Sequence, residues 1–179
     1  MKKSHRHNCS PSHTPMLVAA EQLVARLPVY RTLVSLVAVS DSLVGVAVSD
    51  VYLSCARPLP STAALPTAAQ LSLQQCGALV LGLPFGVAGL QKEHAARQKR
   101  LLAALDSRAD NTLLVCAFPA QPLTADNLAQ RYRNNLLWEQ TALDELGRHG
   151  EGRDASIVAA LVLQVFLDEH AGGWANTFG

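Results

Sequence analysis

One stretch, Leu43 to Leu59 (LVGVAVSDVYLSCARPL), limits what this chain can fold into more than any other. Val44, Val46 and Val48 alternate with small residues and stop at Ser49-Asp50, two turn formers. A second apolar run begins at Val51 and closes at Arg57-Pro58-Leu59. Alternation with a period of two, bounded by turn residues, predicts a half-buried strand followed by a hairpin partner. Upstream, the β-branched run Leu33 to Val39 ends at Ser40-Asp41-Ser42. Three strands joined by tight turns predict an antiparallel meander at the start of the fold.

The chain has 179 residues, enough for one domain with a real core. It is 49% hydrophobic and only 16% charged, which fits a globular protein and excludes a disordered one. A net charge of +1 gives no argument for nucleic acid from composition, although a local basic face can exist at that balance. The cysteines Cys9, Cys55, Cys76 and Cys116 form no CxxC pair, and no secretory signal is visible, so a reducing compartment is expected. Asp41 and Asp50 interrupt the longest apolar stretch, which argues against a membrane span.

Residues 1–32 differ from the rest and read as an N-terminal extension, either a disordered tail or a targeting segment. Its first acidic residue is Glu21, and His5, His7, Cys9 and His13 have metal-ligand chemistry. Further on, Ser61 to Gln75 is predicted helical. Gly77 to Leu83 reads as a strand buried on both faces, ended by Pro84 and a loop with Gly86 and Gly89. Leu90 to Arg108 is expected to be a helix, and Asn111 to Phe118 a second buried strand stopped by Pro119. A long helix is predicted from Thr124, with Trp138 packed in the core. After a Gly-rich break comes a final apolar helix, Ala155 to Asp168. Hairpins followed by strand–helix alternation predict a mixed five-stranded sheet, three antiparallel strands and then two parallel ones, flanked by helices. That is the architecture of the α/β ribonuclease H-like fold.

Five segments, in order and spacing, resemble the YqgF family, Holliday-junction-resolvase-like proteins also described as pre-ribosomal-RNA nucleases. Gly45 to Asp50 (GVAVSD) and Ala56 to Leu59 (ARPL) match its first block and following strand. Leu81 to Pro84 with Gly89 match VGLPxxxxG, Leu123-Thr124 match the family's Leu-Thr, and Ala159 to Asp168 (AALVLQVFLD) are similar to its last helix. The motif positions are thus Gly45, Ser49, Asp50, Arg57, Gly82, Pro84 and Gly89, within a domain spanning 33–170 and followed by a tail, 171–179, that contains Trp174.

The resemblance implies a metal-dependent nuclease whose acids come from several elements. Here the first-strand Asp falls on Ala38, its Gly on Ser40 and its Arg on Leu43; the DER motif falls on Ala120-Gln121-Pro122 and the third acid on Ala155. Alanine cannot hold Mg²⁺, so the resemblance implies a retained fold with lost chemistry, a pseudoenzyme needing no cofactor. Asp154, next to Ala155, is the one candidate ligand; as the residue before a helix it reads equally as an N-cap. The alternative is an active nuclease with Mg²⁺ or Mn²⁺ on a relocated set, Asp41, Asp154 and Asp126. Candidate phosphate contacts are Lys92, Arg97, Lys99 and Arg100 on one helix, and Arg131 and Arg133 around Tyr132 on the next; a solvated helix face accounts for each equally. The expected partners are ribosomal RNA or ribosomal and assembly proteins, with no membrane and no small-molecule substrate. The expected place is the mitochondrial matrix, with a bacterial cytoplasm as the alternative.

Overall fold

The computed structural model describes residues 16–40, 43–62, 70–71, 74–84, 91–106, 113–120 and 151–172. The elements in chain order are β1 (Met16–Leu17), α1 (Ala20–Arg26), β2 (Thr32–Ser40), β3 (Leu43–Ser49), β4 (Ala56–Thr62), β5 (Cys76–Pro84), α2 (Gln91–Asp106), β6 (Leu114–Ala120) and α3 (Glu151–Phe166). A π-helical turn, Leu167–Ala171, extends α3.

The β-branched runs produce the expected meander. β2 and β3 pair antiparallel through Val34–Val48, Leu36–Val46 and Ala38–Val44, and β3 pairs antiparallel with β4. β5 then lies parallel on the other side of β2, and β6 lies parallel beyond it. The sheet order is β1-β6-β5-β2-β3-β4. With the two-residue β1 set aside, the order counted from β2 is third, second, first, fourth, fifth, and β3 alone runs against the others. This is the α/β ribonuclease H-like arrangement.

The strand period of two divides the core into two layers. Leu33, Val37, Ala47, Ala78, Val80, Cys116 and Phe118 face α1 and α3. Val34, Leu36, Val44, Val46, Val48, Leu79, Leu81 and Val115 face α2, which contributes Leu101 and Leu105. Four consecutive β5 residues, Ala78 to Leu81, are fully buried, as a parallel strand covered on both faces requires. The apolar α3 lies along β2, β3 and β4. β4 closes one edge of the sheet with Pro58 and Pro60, residues that discourage pairing with another chain.

Several sequence expectations need correction. The sheet has six strands, because residues 16–31 belong to the domain. β1 pairs with β6, and α1 buries Leu23 and Val24, so residues from Met16 onward pack on the sheet. β4 begins at Ala56 because residues 50–55 close a turn held by the Asp50 side chain, described below. It also runs to Thr62, where a helix was expected; of the predicted 61–75 helix, Gln70 and Leu71 are helical. β6 continues through Pro119 to Ala120, since a proline near a strand end breaks little of the ladder. The helix predicted from Thr124 lies outside the described residues. So do His5, His7, Cys9, His13, Trp138 and Trp174.

Candidate nucleic-acid interface

Parallel β2 and β5 end at the same edge of the sheet, the place where open α/β folds gather ligand sites. Ala38 lies near the end of β2, opposite Val44, and Gly82 and Pro84 lie at the end of β5. The start of α3 reaches this edge against β3. A Cβ on Gly45 would collide with the Ala155 carbonyl oxygen and sit 3.0 Å from the Ser156 nitrogen. The buried Ser156 Oγ accepts a hydrogen bond from the Val46 N–H at 3.3 Å, where the β3–β4 register slips. Gly82 serves the same docking from β5: a Cβ there would meet Val37 and Val162 at 2.7 and 2.8 Å. Both motif glycines are therefore required by the close approach of α3.

Two positions implied to carry acids are thus alanines, and Ala155 is buried against the sheet. Asp154 lies within the first turn of α3, which starts at Glu151, so the expected N-cap position is corrected: the helix begins four residues before Ala155. Asp41, Gly89, Asp126, Arg131 and Arg133 lie outside the described residues. Among the described residues, no three His, Cys, Asp or Glu side chains come together as a metal site would need.

The basic cluster on α2 divides. Arg97 falls in the row of Leu101 and Leu105 at i, i+4 and i+8 and is half-buried, whereas Lys99 and Arg100 are exposed. Lys92 lies in the first turn of the same helix.

The remaining motif residues do structural work at the opposite end of the sheet. Ser49, buried, accepts the Leu33 N–H through its Oγ at 2.9 Å and donates to the Asp50 carbonyl. The Asp50 carboxylate accepts from the Ser54 N–H (2.7 Å), the Ser54 hydroxyl (2.6 Å) and the Cys55 N–H (3.1 Å). Gln164 of α3 then ties this turn to the helix. Its Oε1 accepts from the Ala56 N–H at 2.9 Å, and its Nε2 donates to the Ser54 carbonyl and to Asp168. The SD, ARPL and LQVFLD blocks are therefore parts of one latch, a relation the linear motif does not reveal. Asp50→Ala should lower stability by about 2 kcal/mol, because three donors lose a charged acceptor. Urea denaturation checks this, and Asp50→Asn should cost less.

Burial disfavours the thiolate at each described cysteine. Burial pushes the Cys76 thiol up to about 12 and that of Cys116 to about 11, the latter with help from Glu21. Burial, followed by Asp50, raises Cys55 as well. All three stay protonated at neutral pH. No helix among the described residues is long and apolar enough to cross a membrane.

No protein-family model matches the chain, and no curated protein sequence matches it. Among solved structures it is similar to T. thermophilus RuvC in complex with Holliday junction substrate. Identity is 13%, with 78% of this chain and 95% of that chain covered, at a TM-score of 0.42. A likeness this slight carries no argument about function, and the ribonuclease H-like fold rests on the order and direction of the strands.

Proposed function

We propose that this is a YqgF-type protein that has lost metal-dependent hydrolysis and serves as an RNA- or ribonucleoprotein-binding structural or assembly factor in ribosomal RNA maturation. The observation that carries the reading is alanine at Ala38 and Ala155, where the resemblance implies carboxylates, beside an α3 docked by backbone contact onto Gly45. A two-metal centre needs its acids within a few ångström of ions about 4 Å apart. Two alanines supply none of that charge. The exposed Lys99 and Arg100 on α2 support phosphate binding, and the proposed site of action is the mitochondrial matrix.

Labelled single-stranded, duplex and four-way-junction substrates should remain intact in Mg²⁺ and in Mn²⁺. RNA should bind with an affinity that falls as salt rises, and Lys99→Glu with Arg100→Glu should weaken it about tenfold at low salt. Metal-dependent cleavage abolished by Asp154→Asn would replace this reading with the relocated acid set.

A further inference from the structure

The end of the sheet opposite the alanine-lined edge carries a second exposed patch of different chemistry. The turn before β2 and the turn after β3 leave adjacent strands side by side, since Leu33 and Ser49 are hydrogen-bonded. Tyr30 stands on the first turn and Tyr52 on the second, 69% and 77% exposed. Arg31 and Arg57, both exposed, flank the same two turns.

Both turns are locked. The Arg31 N–H bonds the Pro28 carbonyl at 3.2 Å, closing a four-residue turn with Tyr30 at its third position. The Tyr52 turn is held by the Leu53 N–H on the Asp50 carbonyl and by the three bonds to the Asp50 carboxylate. Arg31 is seated too, its Cβ standing where Gly77 leaves room; a Cβ on Gly77 would lie 2.7 Å away.

Tyr30 has φ 61°, a left-handed conformation that suits glycine at that turn position and strains a bulky residue. Leu53 has φ 55°, but its side chain is buried and the packing offsets the strain. Tyr30 has no such compensation, because its ring faces solvent. Strain held without a packing return is characteristic of binding sites.

We propose that Tyr30 and Tyr52, with Arg31 and Arg57, form a stacking platform for an unpaired RNA segment. Two phenol faces accept bases of any sequence, and two guanidiniums meet the phosphates between them. The Asp50 carboxylate keeps its charge but is occupied by the Ser54 and Cys55 donors, and the exposed cations of the patch are Arg31 and Arg57. Locked turns keep the ordering cost of binding low. The inference rests on the RNA-binding reading above and assigns that binding a single-strand site on the turns that flank β2 and β3.

The test compares a fluorescein-labelled mixed-sequence oligoribonucleotide, single-stranded and annealed to its complement, on the full chain. Tyr30→Gly should raise the urea midpoint, since glycine relieves the left-handed strain, while weakening single-strand binding about tenfold. Tyr52→Ala should weaken it similarly, and both should leave duplex affinity unchanged. Wild-type single-strand affinity in both variants would overturn the platform and leave the tyrosines to a protein partner. In that outcome, loss of binding in the Lys99→Glu, Arg100→Glu variant would keep the RNA reading itself. Failure of the unmodified chain to bind either RNA would overturn both.

Discussion

Gly45→Ala is expected to abolish cooperative folding or to lower stability by about 3 kcal/mol or more. The added Cβ would collide with the Ala155 oxygen and carbonyl carbon, both main-chain atoms of α3. No rotamer change relieves such a contact, so the helix must lift from the sheet. Lifting it uncovers Leu33, Val37 and Ala47 and breaks the Val46–Ser156 hydrogen bond. Gly82→Ala is the control: its clash is with the Val37 and Val162 methyl groups, which have some room to shift, and about 1–2 kcal/mol is expected. Urea unfolding followed by far-UV circular dichroism separates the two. A wild-type midpoint for Gly45→Ala would mean that α3 does not dock as described.

Phe166→Ala should cost about 3–5 kcal/mol, the range for removing a buried phenylalanine side chain. Phe166 is fully buried at the end of α3. Its ring meets Phe118 edge-on at 5.3 Å and His170 at 5.1 Å. His170 sits on the π-helical turn with its Nδ1 3.6 Å from Glu21 of α1, so the cavity would lie where α1, β6 and α3 join. A loss of this size is a large part of the ordinary 5–15 kcal/mol of domain stability. Thermal unfolding should show a lower and broader transition, and Phe166→Leu should restore most of it. An unchanged transition for Phe166→Ala would show that this junction does not hold the core.

The strands were the legible part of this fold. Val44, Val46 and Val48 alternate with Gly45 and Ala47 because α3 approaches that face of β3 closely, so the strand is buried on both faces and not half-buried as its alternation predicts. The continuous run Ala78 to Leu81 reads directly as a doubly covered strand. Residues 16–31 were not legible. Met16-Leu17 is too short to show a period, and α1 has seven residues without a side-chain cap. The β3–β4 turn misled because Val51, Tyr52 and Leu53 look like a strand. Their conformation is set by Asp50 and Ser54, three and one residues from Leu53, through side-chain bonds that hydrophobicity does not register. At the candidate edge, alanine at positions 38 and 155 could be set against the family resemblance from sequence, but the purpose of Gly45 emerged only from a contact with a residue 110 positions later. Of the basic residues of α2, Lys99 and Arg100 are exposed, whereas Arg97 shares the row of Leu101 and Leu105, a distinction that a list of cations in the sequence does not make.

The order of the elements along the chain also dictates a timetable for synthesis. β2, β3, β4, β5 and β6 all lie between residues 32 and 120, whereas the helix that covers one of their faces is made only at residues 151–166. A nascent chain that has paired its strands still displays Leu33, Val37, Ala47 and Val80 to the surrounding water. An open sheet face of this kind is prone to aggregate. Translation that stalls between β6 and α3 therefore leaves a sticky half-product, and holdase chaperones would be engaged until α3 is released and settles onto Gly45.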